Sequence, residues 1–152
     1  MLFYEDIEVG TVIRFGHYEV TREEVLEFAG KYDPQPFHLS DEEAAKTHFG
    51  RIAASGWHTC SMTMAMLVAH HAIMPRAALG AMGVDELRWL RPVYPGDVLN
   101  CEMELLDKRL SRSKPGIGII NSRTTTFNQD GQPVLSMKPI TLIRTRGEGS
   151  AM

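Results

Sequence analysis

Between Ser55 and Pro75 the chain reads SGWHTCSMTMAMLVAHHAIMP, a stretch with no charged residue in which almost every position from Met62 to Met74 is apolar. A helix of this composition has no solvent face at the 3.6-residue period, so it must be covered on all sides. His70 and His71 interrupt the run, which is also shorter than the roughly 20 residues of a membrane span. The covering therefore has to come from protein, and the second half of the chain supplies it. Leu99, Cys101, Met103 and Leu105 alternate with Asn100, Glu102 and Glu104, the period-two pattern of a half-buried strand. Three further segments, about Val84 to Val93, Ile117 to Phe127 and Val134 to Arg144, are rich in β-branched or aromatic residues, with PGD (95–97) and NQDGQ (128–132) as turns. Sequential strands joined by short turns imply an antiparallel sheet. A sheet that must bury one face, together with one wholly apolar helix, predicts an α+β hot-dog arrangement, the sheet wrapped around the helix.

The first half reads differently. Val12, Ile13, Phe15, Tyr18 and Val20 form a β-prone run broken by Gly16, consistent with an edge strand or hairpin. Thr21 with Glu24, and Ser40 with Glu43, have capping-box spacing, in which hydroxyl and carboxylate satisfy amides that the first turn of a helix leaves unpaired. The expected helices run from Arg22 to Ala29, with Gly30 near the end, and from Asp41 to about His48, ending near Gly50. The connection between them is YDPQPFH, residues 32–38. Pro34 and Pro36 fix their own φ and push Asp33 and Gln35 away from helical backbone, so this segment is expected to be ordered without hydrogen-bonded structure of its own.

At 152 residues the chain suits one domain, expected over residues 1–146, with GEGSAM (147–152) as a loose tail. A net charge of -3 argues against a nucleic-acid partner. The start MLFYEDIEVG carries Glu5, Asp6 and Glu8 and lacks the basic and apolar regions of a secretory signal. Cys60 and Cys101 lie in apolar contexts without C-x-x-C spacing, where a thiol packs as a small hydrophobe. A cytoplasmic protein with no membrane partner fits, and a disulfide stays open. One helix covers a wide sheet and leaves an edge strand exposed, so a homodimer or higher even assembly is expected.

Asp33 and His38 are the first candidates for chemistry. An imidazole accepts and returns protons near neutrality, and a nearby carboxylate can orient or share the same water. The bland alternative is that Asp-Pro opens a turn and His38 is a surface residue. Ser55 and Gly56 are the second. The first amides of a helix sit at the positive end of its dipole and can receive negative charge on a carbonyl oxygen, while glycine permits close approach. Here the alternative is a plain cap and a tight bend. Trp57 and His58 follow on the same turn and are candidates for lining a pocket, with a structural role for His58 equally open. His17, His48, His58, His70 and His71 show no zinc-ligand spacing, and no G-x-S-x-G elbow accompanies Ser61. Arg88, Arg91 and Lys108 stay unassigned, because charges on strands usually face solvent. Ligand selectivity would fall to residues 74–83 and to the helices over 22–30 and 41–48.

The stretch Asp33-Pro34-Gln35-Pro36-Phe37-His38, then Ser55-Gly56 and the apolar helix, then Arg91-Pro92-Val93-Tyr94-Pro95-Gly96-Asp97, resembles the MaoC-like dehydratases, which include the (R)-specific enoyl-CoA hydratases. The likeness runs from about Phe3 to Arg144, with three motifs in order. The family pattern D-x-N-P-x-H falls on Asp33 and His38, with Gln35 at the usual Asn. The glycine that polarises the thioester carbonyl falls on Gly56, preceded by Ser55 where histidine is common. The resemblance implies reversible hydration of a trans-2-enoyl-CoA to an (R)-3-hydroxyacyl-CoA, with Asp33, His38 and Gly56 catalytic, Ser55, Trp57 and His58 at the substrate, and no metal or redox cofactor. A hot-dog acyl-CoA thioesterase and a non-catalytic acyl-thioester-binding subunit are the competing readings.

Overall fold

In a computed structural model, which describes residues 1–147, five antiparallel strands form one sheet in the order β1-β3-β4-β5-β2. The strands are β1 (Val12–Glu19), β2 (Ala78–Trp89), β3 (Val98–Leu110), β4 (Ile117–Phe127) and β5 (Pro133–Arg144). Three α-helices precede β2: α1 (Arg22–Tyr32), α2 (Asp41–Ala45) and α3 (Gly56–Ile73). No helix is long and apolar enough to cross a membrane among the described residues.

The sheet curls around α3 as the α+β hot-dog reading expects. Met62, Met66 and Leu67 of α3 pack into one core with Leu99 and Cys101 of β3 and with Val134 and Leu135 of β5. Inside that core the hydroxyls of Thr63 and Thr126 meet at 2.7 Å, which satisfies two buried polar groups and pins α3 to β4. β1 crosses close to the helix at Gly16, whose φ is +89° and where an added Cβ would stand 2.7 Å from the Met66 sulfur. Glycine meets both demands there. Both cysteines are free thiols, and burial pushes Cys101 up to about 11, so it behaves as core filler.

Several expectations are corrected. α1 runs through Gly30 to Tyr32, because a single glycine weakens a helix only modestly and the true stop is Pro34, which excludes helical backbone at Asp33. α2 ends at Ala45 rather than His48; the Thr47 hydroxyl donates to Ala44 O at 2.7 Å and accepts from Phe49 N at 3.1 Å, a local alternative to helical bonding. YDPQPFH does carry hydrogen-bonded structure, a 3-10 turn over Pro36–His38. β2 begins at Ala78 instead of Val84 and stops at Trp89. It pairs with β5, so PGD joins strands that are not neighbours. α3 is covered on one side only: Trp57, Met64, Val68 and Ile73 are exposed, and β2 is exposed along nearly all its length.

The tail expected over residues 147–152 lies, from residue 148 onward, outside the described residues.

Candidate active site

Asp33 is the C-cap of α1, its amide donating to Ala29 O at 2.9 Å. Five residues on, His38 closes the 3-10 turn, its amide donating to Gln35 O at 2.9 Å. The two prolines and this turn fold the chain back so that His38 Nε2 faces Asp33 Oδ2 at 3.4 Å, with only 6% and 17% of the side chains exposed. The imidazole is oriented from behind: Nδ1 lies 2.7 Å from the Ala53 carbonyl oxygen. A carbonyl only accepts, so Nδ1 carries the proton and Nε2 presents its lone pair to Asp33 in the neutral ring.

The carboxylate is held as firmly. The Ser55 hydroxyl donates to Oδ2 at 2.7 Å, and the Gln35 amide donates to Oδ1 at 2.7 Å. Burial works to raise the Asp33 pKa, but the Ser55 and Gln35 hydrogen bonds and the nearby His38 outweigh it and leave it below its ordinary 3.8. Ser55 also caps α3, its oxygen accepting from Trp57 N at 3.3 Å. One hydroxyl thus joins the carboxylate to the start of the helix whose first amide belongs to Gly56. As the first helical residue, Gly56 has no partner for that amide within the helix.

The third motif braces this arrangement. Val93 O accepts from Ala54 N at 2.8 Å, and the Tyr94 hydroxyl donates to Phe49 O at 2.7 Å, with Arg51 stacked 3.9 Å over the Tyr94 ring. Asp97 accepts from Tyr94 N at 2.9 Å. Residues 91–97 therefore fix the segment whose Ala53 carbonyl orients His38.

Asp33, His38 and Gly56 line a single cleft of about 500 Å³, together with Gln35, Trp57 and Trp89. A larger hollow of about 790 Å³, bordered by Phe3, Arg76 and Arg144, has no carboxylate or imidazole in its walls. Trp57 lines this cleft, whereas Ser55 and His58 do not. Ser55 is fully buried behind Asp33. His58 turns to the opposite side of α3, stacks on Phe28 at 4.7 Å and reaches Glu24 Oε1 at 3.0 Å, an oxygen that also accepts from the Tyr18 hydroxyl. Burial and that bond push Tyr18 up to about 12. Residues 74–83 and the helix over 22–30, expected to shape the pocket, also stay out of the cleft. Sequence reasoning did not single out Gln35 as a support, nor Trp89 as a wall. Neither has a local signal, since each acts on a residue brought near only by the fold. Among the described residues no group of three or more metal-ligating side chains gathers.

The model of the MaoC like domain matches residues 6–126 of the sequence. The chain belongs to the MaoC-like family. A MaoC-like dehydratase from Rhodospirillum rubrum superposes with a TM-score of 0.88 at 37% identity, covering 97% of this MaoC-like chain and all of that one. The R-hydratase PhaJ1 from Pseudomonas aeruginosa is similar at a TM-score of 0.68 and 26% identity, over 94% of this chain and 85% of its own. A 3-hydroxybutyryl-CoA dehydratase from Methylorubrum extorquens is 31% identical over 109 residues, which are 70% of this chain and 66% of the relative. Relatives named hydratase and dehydratase place the MaoC-like protein among hydro-lyases at the level of the family.

Ser55→Ala tests how the MaoC-like site holds its carboxylate. Asp33 has a lowered folded-state pKa, so the stability it contributes is complete above 3.8 and is lost as pH falls through the lower folded value. Removing the Ser55 bond raises that value, and the acid limb of a pH–rate profile moves to higher pH. Loss of the cap should also cost about 0.5–2 kcal/mol in denaturant unfolding. An unmoved acid limb would show that Ser55 does not act through Asp33.

Proposed function

We propose that this protein catalyses the reversible hydration of a trans-2-enoyl-CoA to an (R)-3-hydroxyacyl-CoA. The observation that carries the proposal is the pair itself: His38 Nε2, a lone pair when the ring is neutral, and the Asp33 carboxylate face each other at 3.4 Å on the wall of a cleft. Two acceptors so placed have no proton between them, and a water donating one hydrogen to each satisfies both. In the forward direction the water oxygen bonds to Cβ while one O–H bond breaks and its proton passes to the pair. The Cα=Cβ π electrons move onto the thioester oxygen, where the Gly56 amide stabilises the charge. Return of those electrons to Cα with a proton from the same pair completes the addition. The (R) outcome rests on the similarity to the R-hydratase.

The non-catalytic reading expects Asp33 and His38 far apart or turned away from any cavity, and the cleft geometry speaks against it. The thioesterase reading requires a carboxylate that drives attack at the carbonyl carbon, and the pairing of Asp33 with His38 at 3.4 Å favours hydration instead. Absorbance of the conjugated enoyl thioester should fall when the protein meets crotonyl-CoA or a longer or branched enoyl-CoA. Unchanged absorbance with every member of such a panel excludes the proposal.

The proposal includes a homodimer. β2 is an edge strand exposed along nearly all its length, and Met82, Val84 and Trp89 on it, with Met64 and Val68 on α3, leave apolar surface in contact with water. A second copy meeting the first at this edge protects both. Sedimentation should give twice the 17.0 kDa chain mass, and Val84→Asp should shift the protein toward monomer. A monomeric parent protein at micromolar concentration contradicts this part of the proposal.

A further inference from the structure

His58 stays out of the cleft, yet it is buried to 3% exposure in the first turn of α3. Its Nε2 lies 3.0 Å from Glu24 Oε1, and because a carboxylate accepts, Nε2 carries the proton. Its Nδ1 is buried and has no hydrogen-bond partner among the described residues. An unpaired buried nitrogen carries a desolvation cost that an apolar ring avoids. The stacking on Phe28, with the rings 7° from parallel, is a contact that a phenyl ring would make equally well. Packing therefore does not call for an imidazole here. What the imidazole alone supplies is the Nε2–H donated to Glu24.

Glu24 is a prepared acceptor. The Tyr18 hydroxyl of β1 donates to the same oxygen, and this bond, ahead of the one from His58, holds the Glu24 carboxyl below its usual range. Glu24 stands in the first turn of α1, whose C-cap is Asp33, nine residues on and about 13 Å along the axis. The start of α3 is thus tied to α1 at two separated points: Ser55 donates to Asp33 at 2.7 Å, and His58 to Glu24 at 3.0 Å. Gly56 lies between the two tied residues. Val25 of α1 and Met62 of α3 share one core, but apolar packing is non-directional. One hydrogen bond leaves a helix free to pivot about it, whereas two bonds along a rigid rod also fix the angle.

We propose that His58 is a positioning residue: through Glu24 it fixes the angle of the first turn of α3 against α1, and with it the place of the Gly56 amide relative to Asp33 and His38. This inference rests on the hydratase reading for the task of that amide. An amide aimed at an enolate oxygen counts most once the charge has formed, so a misaligned tie lowers kcat more than it raises KM.

His58→Phe keeps a ring against Phe28 and removes the Nε2–H. Its kcat for enoyl-CoA hydration should fall about 10-fold to 100-fold, with KM and the urea unfolding midpoint unchanged. His58→Gln, whose amide can donate to Glu24, should recover most of the loss. Glu24→Ala should lower kcat as His58→Phe does, and the double variant should lose no more than the worse single one, because the two residues form one tie. A readout without substrate accompanies these. In the amide proton–nitrogen NMR spectrum, the Gly56 resonance should move in Glu24→Ala, although residue 24 is on another helix, and should stay in place when Glu24→Ala is added to His58→Phe. A kcat unchanged in His58→Phe, no recovery in His58→Gln, multiplicative losses in the double variant, or an unmoved Gly56 resonance in Glu24→Ala overturns the proposal. A parent protein inert with every enoyl-CoA defeats the hydratase reading, while the NMR comparison still decides whether the tie holds Gly56.

Discussion

Asp33→Asn and His38→Ala should each lower kcat/KM for enoyl-CoA hydration by about 100-fold to 10,000-fold, the range for loss of a positioned acid–base group. In the proposed reaction both effects arise from one water. Asn keeps the shape of Asp33 and can still meet the Ser55 hydroxyl, but its neutral oxygen does not take the proton that leaves the water. Ala at position 38 removes the lone pair held toward the cleft by the Ala53 carbonyl. Because both groups serve one step, the double variant should lose little more than the worse single one. Multiplicative losses in the double variant would mean that the two side chains act in independent steps. Circular dichroism spectra matching the parent's would confirm that the losses are chemical.

The second large effect is expected at Gly56→Ala. An added Cβ would stand 2.5 Å from Cε2 and 2.6 Å from Nε1 of Trp89, closer than any real contact, and the indole is itself packed edge-on against Trp57 at 5.2 Å. Overpacking of this kind typically costs about 1–3 kcal/mol. It should also displace the amide proposed to receive the thioester oxygen, and a shift of that order can cost about 100-fold in turnover. Trp89→Ala vacates the space, so in the double variant Gly56→Ala should cost less stability than it does alone, with a coupling of about 0.5–3 kcal/mol between the sites. Additive unfolding free energies would show that the indole does not constrain the start of α3.

Much of this molecule is legible in its sequence. β4 was bounded at both ends because β-branched residues fill Ile117–Phe127 and turn residues follow it. The closeness of Asp33 and His38 was legible because Pro34 and Pro36 mark a stiff connection. Four things had no local signal. Ala and Gly at 78–83 have weak strand preference, so the first half of β2 exists only through its pairing with β5. The bond from Ser55 to Asp33 spans 22 positions, and the acceptor that orients His38 is a backbone carbonyl, a group every residue possesses. His58 shares the first turn of α3 with Gly56, yet points to Glu24. Successive helical residues face different directions, and packing of α1 against that side of α3 decided which environment His58 met.

Hydration of crotonyl-CoA in deuterium oxide, followed by proton NMR of the 3-hydroxybutyryl product, tests most directly whether one pair handles one water. Asp33 and His38 stand together on one wall of the cleft, so the hydroxyl and the α-deuterium should arrive on the same face of the double bond, giving a single syn diastereomer with (R) configuration at Cβ. An anti product, or deuterium spread over both α positions at early times, would contradict the account, because the α-proton would then come from a group other than this pair.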